Sequence, residues 1–206
     1  MSLDSRYLIT RPEQLDALFD AVPAPSLKKE VDYLHPLYRQ MIAASPFFAL
    51  ATSGPDGLDV SPRGDPAGFV VVEDEKTLLL PERRGNNRID SLRNMLTDPR
   101  IALLFLIPGI GETLRVNGRA SISNAPDLLE RFVIEDKPPK CVIAVHVETV
   151  FFQCARAIKR ADLWQADADI RSRVPTPGAI HAALGGTDDG ATYDKEIEAK
   201  QRATLY

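Results

Sequence analysis

The chain has 206 residues, of which 44% are hydrophobic and 26% are charged, and its formal net charge is −4. This length and composition are those of one globular domain, or of a domain with extended arms. A net negative charge disfavours a general nucleic-acid binder, because such a protein neutralises phosphates with an excess of cations. The sequence has neither an apolar run long enough to cross a membrane nor a signal-peptide pattern. We therefore expect a cytoplasmic protein with no membrane or nucleic-acid partner.

The N-terminal part of the chain is predicted to be helical. Residues 1–46 are expected to form a helical arm packed on the rest of the protein. A first amphipathic helix opens at Pro12 and ends before Pro23. A second begins near Ser26 and ends before Pro46, with apolar residues spaced three and four apart.

From residue 47 the pattern changes to short strands joined by turns, which predicts a mainly β protein with additional helices. The predicted strands span residues 47–53, 58–61, 69–73, 77–80, 101–107, 113–122 and 142–153. A helix is expected after residue 88, with Ile89, Leu92 and Leu96 on one face, and a shorter one at 128–133. Six or seven strands with short turns favour a small antiparallel barrel or closed sheet over residues 47–165. Residues 166–206 are expected to form a tail with a terminal helix.

The cysteines and histidines do not indicate a disulfide or a metal site. Cys141 and Cys154 are not expected to pair in a chain without an export signal. A buried, inert thiol is the expected state of Cys154, and a lowered pKa beside Arg156 is the alternative. The three histidines lie far apart in the sequence, with no cysteine or carboxylate at ligand spacing.

The first candidate site is a basic turn that follows the strand 77–80. Arg83, Arg84 and Arg88 lie within six residues, around Gly85 and ahead of a predicted helix. Guanidinium forks match phosphate oxygens, and the N-terminus of a helix attracts anions. The alternative is a solvated basic turn. Because strands precede and follow it, the turn favours a site for a small anionic ligand.

Three other segments carry candidate functional residues. At residues 60–66, two prolines and a glycine are expected to interrupt a strand, and prolines confine a strand to an edge or a bulge. This segment presents Arg63 and Asp65 around the glycine, where a ligand could approach the backbone; the alternative is a surface loop with an Arg–Asp pair. Residues 113–119 place four polar side chains on one face of a strand, which line either a cleft or the solvent. Trp164 follows a basic cluster at 156–160. It either clamps an aromatic anion together with Arg160 or anchors the tail.

In combination, these motifs resemble the FMN-binding split-barrel proteins related to pyridoxamine 5'-phosphate oxidase, and most closely one uncharacterised subgroup of them. The resemblance spans about residues 34–177. The motifs that carry it are residues 61–65, 81–88, 114–119 and 152–156, with Arg160 and Trp164. It implies a six- to seven-stranded antiparallel split barrel with flanking helices.

The resemblance also implies FMN as the cofactor, held non-covalently in a homodimer with its sites at the subunit interface. Gly85 to Asn87 fall where the family has Gly-Ser-Arg, and Arg88 falls where it has a phosphate-binding lysine. Residues 61–66 would lie along the flavin ring, and Thr113 and Arg115 would reach the cofactor of the facing subunit. The cofactor-binding residues implied in this way are Ser61, Arg63, Gly64, Asp65, Pro81, Arg84, Gly85, Asn86, Asn87, Arg88, Thr113, Arg115, Arg160 and Trp164.

The activity that the resemblance implies is that of an FMN-dependent oxidoreductase acting on a small planar or anionic substrate, with NAD(P)H among the possible reductants. The alternative is a protein that binds flavin, haem or another anionic aromatic ligand without turnover. The end of the chain does not match the Arg-Leu-x-x-Arg ending with which the true oxidase grips pyridoxal phosphate. Pyridoxamine phosphate is therefore not the expected substrate, and no catalytic residue is assigned.

Overall fold

The structure is a computed structural model that describes residues 4–186 and 189–206. The chain divides into two compact units. The first ends at Glu30 and contains a short 3-10 helix, Ser5–Tyr7, and two α-helices, α1 (Pro12–Asp16) and α2 (Ala24–Lys28). The second runs from Val31 to Tyr206 and contains the sheet and the other helices.

The second unit is built on a seven-stranded antiparallel sheet. Its strands are β1 (Phe47–Gly54), β2 (Gly57–Gly64), β3 (Val71–Val72), β4 (Thr77–Glu82), β5 (Arg100–Leu106), β6 (Thr113–Ser123) and β7 (Cys141–Gln153). The spatial order is β2-β1-β5-β6-β7-β4-β3, so β2 and β3 form the two edges. The helices of this unit are α3 (Pro36–Ala44), α4 (Asp90–Thr97), α5 (Pro126–Glu130), α6 (Arg156–Arg160), α7 (Ile170–Arg173), α8 (Pro177–Ala183) and α9 (Gly190–Arg202). The predicted fold class, an antiparallel split barrel with flanking helices, is confirmed.

The main core lies on one face of this sheet, as strand alternation requires. Along β7, Ile143, Val145 and Val147 are buried, whereas His146 and Glu148 are exposed. This is the alternation that the sequence predicted, because successive side chains of a strand point to opposite faces.

Phe48 lies at the centre of the core and packs against two other aromatic rings. Its ring centroid is 5.7 Å from that of Phe69 and 5.2 Å from that of Phe105. Phe48 and Phe105 come from the paired strands β1 and β5, and Phe69 from the loop before β3. Burying each such ring contributes roughly 1.5–3 kcal/mol. The rings therefore help to hold the loop before β3 against the barrel.

The predicted second helix is interrupted in the structure. α2 ends at Lys28, and Val31 instead forms an isolated bridge with Val150 of β7, through N–H···O distances of 3.0 and 2.8 Å. α3 then begins at Pro36, a favoured first helical residue. The residue before a proline is disfavoured in helical geometry, so no continuous helix passes through His35. The first predicted helix is also shorter than expected, since α1 ends at Asp16.

The apolar face predicted for α4 is correct only at Leu92, which packs against the core, whereas Ile89 is 43% exposed. Leu96 is 78% exposed, and the buried residues of this helix are Ser91 and Met95. Ser91 Oγ donates a hydrogen bond of 2.6 Å to Asp59 of β2. The helix therefore docks on the sheet partly through a polar side chain, which a pattern of apolar residues cannot reveal.

The proline-containing segment 60–66 does not interrupt its strand as predicted. β2 continues through Pro62 and ends at Gly64. Pro62 is tolerated because β2 is an edge strand, and on its open side no neighbouring strand needs the N–H group that proline lacks. The strand predicted at 69–73 is reduced to the two residues of β3.

The two cysteines differ in environment. Cys141 is buried, but Cys154 is exposed, contrary to the expectation of a buried thiol. Within residues 4–186 and 189–206, no helix is long and apolar enough to span a membrane. The same residues contain no cluster of three or more side chains able to hold a metal ion.

Gly118 of β6 marks a close approach between β6 and β7. A Cβ added there would lie 2.2 Å from the carbonyl oxygen of His146. We expect Gly118→Ala to lower the free energy of unfolding by about 1–3 kcal/mol, since backbone must move to relieve the clash. Gly85→Ala is the control, because an added Cβ at Gly85 meets nothing within 4 Å. Urea unfolding measures the stability of both variants. If Gly118→Ala and Gly85→Ala unfold at the same urea concentration, the strands β6 and β7 accommodate a side chain at Gly118 and the prediction is wrong.

Candidate functional site

A groove of about 580 Å³ lies beside the edge strand β2, between the end of β4 and the start of α4. This volume is within the usual range for a site that takes a small molecule. The sequence-predicted residues that line it are Ser61, Arg63, Arg84, Gly85, Asn86, Asn87 and Arg88. The structure thus brings the basic turn and the 61–63 segment to one groove, although some twenty residues separate them in the sequence.

The basic turn has a defined backbone geometry. Asn87 adopts a left-handed conformation, with φ of 61°, which asparagine tolerates better than most residues. The Oδ1 atom of Asn86 accepts a hydrogen bond of 2.9 Å from the N–H of Arg88. α4 follows, and Ile89 at its start provides no side-chain cap. The first N–H groups of α4 therefore have no side-chain acceptor at the N-cap position. They form the positive end of the helix dipole, which lies beside the groove.

Cations outnumber carboxylates around the groove. Arg88 is 78% exposed and pairs with Asp90 at 2.9 Å, so its guanidinium stays accessible to solvent. The side chains of Arg84 and Lys140 form no hydrogen bond or ion pair with any residue that the structure describes. The cations are Arg63, Arg83, Arg84, Arg88 and Lys140, against the carboxylates Asp59, Glu82 and Asp90. A groove lined in this way attracts an anion.

A chain of hydrogen bonds orders the groove wall from β2 to α4 and β4. Ser91 Oγ donates to Asp59, which leaves Ser61 Oγ as the donor in the 2.9 Å contact between the two serines. Arg63 donates from Nη1 to Ser61 Oγ at 2.9 Å, and from Nε to Glu82 Oε2 at 3.1 Å. Each side chain orients the next. Ser61 and Arg63 are therefore held in one orientation before any ligand arrives.

Glu82 is a groove residue that the sequence reasoning missed. Its burial raises the pKa of its carboxyl group above the ordinary value, and the charge of Arg63 and their hydrogen bond oppose that shift. It lies opposite Cys141 in the sheet, and burial likewise raises the pKa of that thiol. Glu82 could have been found as the first charged residue after the apolar strand 77–80, from which only Pro81 separates it. Ser91 and Asp59 gave no such signal, since their pairing spans 32 residues.

Asp65 and Arg83 form a nearly buried ion pair next to the groove. The Asp65 side chain is 1% exposed and accepts a 2.7 Å hydrogen bond from Arg83 Nε, whose side chain is 15% exposed. The second carboxylate oxygen of Asp65 accepts from the hydroxyl of Tyr206 at 2.7 Å, which raises the pKa of Tyr206. The Arg83 guanidinium lies 5.6 Å from the centre of the Tyr206 ring and donates to the carbonyl of Phe132. The charges of Asp65 and Arg83 are therefore engaged with each other.

Gly64 and Pro81 were also predicted to bind the cofactor. They line a smaller pocket of about 150 Å³ that shares Arg63, Arg84 and Gly85 with the groove. The two residues thus lie beside the groove rather than on its wall. Pro81 itself is buried in β4.

Besides Gly64, Asp65 and Pro81, four more predicted residues are not among the described residues that line the groove. Thr113 is buried, and its hydroxyl lies 3.4 Å from Gln153. Arg115 lies on the outer sheet surface, where it donates to Asn117 and lies 5.6 Å from the ring of Phe151. Arg160 and Trp164 lie at the end of α6 and just after it. Within one chain, these residues and the basic turn are separate.

Trp164 anchors the segment after α6. Its indole N–H donates a 2.7 Å hydrogen bond to the carbonyl of Ile110, in the turn between β5 and β6. The ring is still 37% exposed. This geometry favours the anchoring interpretation within one chain, and it leaves part of the ring open to a second surface.

The second unit thus combines a seven-stranded split barrel with a cation-lined groove. Residues 34–154 match the family model described as pyridoxamine 5'-phosphate oxidase. The match covers more than half of the chain, and the chain belongs to this family.

Solved structures with a similar fold come from several bacteria. HupZ of Group A Streptococcus is 22% identical, with a TM-score of 0.45 over 56% of this chain and 90% of that one. A candidate pyridoxamine 5'-phosphate oxidase of Lactobacillus delbrueckii is 21% identical, with a TM-score of 0.45 over 59% and 95%. An FMN-binding protein of Syntrophomonas wolfei is 12% identical, with a TM-score of 0.42 over 55% and 86%. No curated protein matches the chain. The family assignment rests on the family model.

Proposed function

We propose that the groove binds FMN and that the phosphate lies on the basic turn, at Arg84 to Arg88. The observation that carries this proposal is the pairing of accessible cations with uncapped amides at the start of α4, in a chain of this family. Phosphate oxygens are well matched by guanidinium groups and by helix N-termini. When a doubly charged phosphate enters, Arg88 would exchange part of its hydrogen bonding to Asp90 for hydrogen bonds to the phosphate.

The polar groups of the groove fit the rest of FMN as well as its phosphate. Arg63 presents a donor guanidinium, and Ser61, whose proton goes to Ser91, presents an acceptor oxygen; both are held in place by their neighbours and suit the polar edge of a flavin ring. When bound, FMN supplies hydride or electron transfer at its ring. The chain's own residues bind and orient it. Burial raises the pKa of Glu82, so its carboxyl group accepts a proton more readily than that of an exposed glutamate.

We further propose that the protein acts as a homodimer in which the partner completes each site. The support is the separation, within one chain, of Thr113, Arg115, Arg160 and Trp164 from the groove. A twofold pair would bring these residues of one subunit over the groove of the other, twice. Light scattering is expected to give about twice the 22.7 kDa of one chain. A monomer that nevertheless binds FMN at micromolar concentration would contradict this arrangement.

The proposed activity is an FMN-dependent oxidation or reduction of a small planar or anionic substrate. Purified protein is expected to be yellow and to take up FMN in preference to riboflavin, which lacks the phosphate. Bleaching of the flavin absorbance by NADH or NADPH would support an oxidoreductase. Uptake of FMN without bleaching by either nucleotide would support the non-catalytic binding protein. A colourless chain that takes up no flavin would contradict FMN binding.

A further inference from the structure

The split of the barrel runs between β2 and β4. In the sheet, β2 pairs with β1, and β4 lies between β7 and β3, so no backbone ladder among the described strands joins β2 to β4. The groove follows this line, with β2 on one side and the end of β4 and the basic turn on the other. The contacts that hold the two sides together therefore decide whether the split stays closed.

Two ion pairs bridge the split in place of backbone hydrogen bonds. Arg63 of β2 donates to Glu82 of β4 at 3.1 Å, and the two side chains are 20% and 19% exposed. Asp65, just after β2, accepts a 2.7 Å hydrogen bond from Arg83, just after β4. Both pairs are largely withdrawn from solvent, where the attraction between charges is screened less than at the surface. We refer to these two pairs as the clasp.

Tyr206 lies on the second pair of the clasp. Its hydroxyl donates a 2.7 Å hydrogen bond to Asp65, and its ring centre lies 5.6 Å from the Arg83 guanidinium. The hydroxyl meets the carboxylate oxygen that Arg83 does not use, and the ring attracts the cation through its face. One side chain thus contacts both members of the pair, and it stabilises the closed clasp.

The helices α8 and α9, which precede Tyr206, pack tightly on each other. A Cβ added at Gly178 of α8 would collide with the carbonyl oxygen of Gly190, at the start of α9. Asp194 of α9 accepts a 2.7 Å hydrogen bond from the N–H of Gly178. The two helices therefore form one rigid pair, and Tyr206 connects this pair to the clasp.

We propose that the clasp opens and closes the split beside the groove, and that Tyr206 keeps it closed. When Tyr206 leaves, Asp65 and Arg83 lose one partner each. The two sides can then separate, because no ladder among the described strands links β2 to β4. Opening exposes the groove wall formed by Arg63 and Glu82. The C-terminal segment thereby controls access to the groove, whichever anion the groove binds.

Cys141 provides a probe for the state of the clasp. It lies opposite Glu82 in the ladder between β4 and β7 and is 8% exposed. Burial raises the pKa of its thiol, and the charges of Glu82 and Arg63 act on the same thiol in opposite directions. The thiol therefore lies next to the first pair, and opening of the clasp should expose it. Cys154 is exposed and serves as the internal reference.

The test is the rate at which iodoacetamide modifies Cys141 in the flavin-free full chain, followed by mass spectrometry of the two cysteine peptides. Tyr206→Phe should raise this rate about five-fold, the factor that corresponds to one hydrogen bond of ordinary net strength. Tyr206→Ala should raise it by about two- to five-fold more, since the contact with Arg83 is lost as well. Tyr193→Phe is the matched control. Its ring packs against His181 instead, and the rate should stay at the wild-type value.

Gly118→Ala separates opening of the clasp from unfolding of the whole chain. This variant is expected to destabilise the fold at the contact between β6 and β7, away from the clasp. It should therefore leave the modification rate of Cys141 unchanged. Local opening also exposes little surface, so the rate should rise only slightly with urea below the unfolding transition.

Several results would overturn the clasp. If neither Tyr206 variant is modified faster than the wild type, Tyr206 does not keep the split closed. If Gly118→Ala raises the rate as much as Tyr206→Phe, or if the rate rises steeply with urea, Cys141 is exposed by global unfolding instead. If wild-type Cys141 reacts as fast as Cys154, the split is open in solution.

A further comparison connects the clasp to the proposed cofactor. A flavin held between β2 and the basic turn contacts both sides of the split, so saturating FMN should slow the modification of Cys141 in the wild type. This comparison rests on the proposed function. If FMN has no effect, the placement of FMN in the groove is wrong, whereas the flavin-free rates of the Tyr206 variants still decide the clasp.

Discussion

Arg88→Ala is expected to bind FMN about 10- to 150-fold more weakly than the wild type, with riboflavin binding almost unchanged. The reason is that a phosphate held by the basic turn would lose one charge-assisted hydrogen bond, and riboflavin never makes it. Fluorescence quenching of each flavin on titration gives both dissociation constants. Because Arg88 is largely exposed, the difference should shrink as ionic strength rises.

Arg6→Ala is a closely matched control for this experiment. Arg6 pairs with Asp4 two residues away, as Arg88 does with Asp90, and the exposed fractions of the two pairs are 79% and 43% against 78% and 44%. Both variants remove one exposed arginine and leave one aspartate. FMN affinity should stay at the wild-type value in Arg6→Ala. Equal losses in the two variants would mean that only the net charge of the chain matters, and that the basic turn does not hold the phosphate.

The second large effect is expected from Asp65→Ala, which should lower the free energy of unfolding by about 3–5 kcal/mol. Removing one member of a buried ion pair leaves the other charge without compensation. Asp65 is 1% exposed and Arg83 15%, so solvent can do little to replace the lost carboxylate. Denaturant unfolding with a probe of tertiary structure measures the change.

Three further variants identify the source of that loss in stability. In Asp65→Ala/Arg83→Met, part of the stability should return, since no unpaired guanidinium remains. Tyr206→Phe should cost only about 1 kcal/mol, the usual net contribution of one hydrogen bond. Glu198→Ala removes an exposed partner of Arg202 and should change little. If Asp65→Ala unfolds at the wild-type midpoint, the pair does not stabilise the fold.

The sequence predicted those parts of the fold that depend on local patterns. The strict alternation along β7 and the apolar run of β5 placed both strands, because side-chain periodicity is a property of neighbouring residues. The prolines at 62 and 66 correctly indicated an edge strand, although they do not end it. The predictions failed where contacts between residues far apart in the sequence determine the local structure. Val31 leaves the helix to pair with Val150, and α4 turns Ser91 rather than Leu96 inward to meet Asp59.

The same division applies to the candidate site. The basic turn was visible because its arginines, its glycine and the following helix are contiguous in the sequence. The 60–66 segment had already offered Arg63, family resemblance added Ser61, and the structure places both with the turn in one groove. Their roles in binding remain predictions. Arg160 and Trp164 also remain predictions, which depend on a second subunit.

By itself, then, the sequence predicted an antiparallel β protein with an arginine-rich turn, and its family resemblance predicted a split barrel. Only the tertiary structure showed that the turn lies beside the edge strand β2, that Asp65 is bonded to Arg83 and Tyr206, and that Glu82 lines the groove. Asp65 and Tyr206 are 141 residues apart, and no local periodicity relates them. Such contacts form only when the folded sheet brings distant segments together.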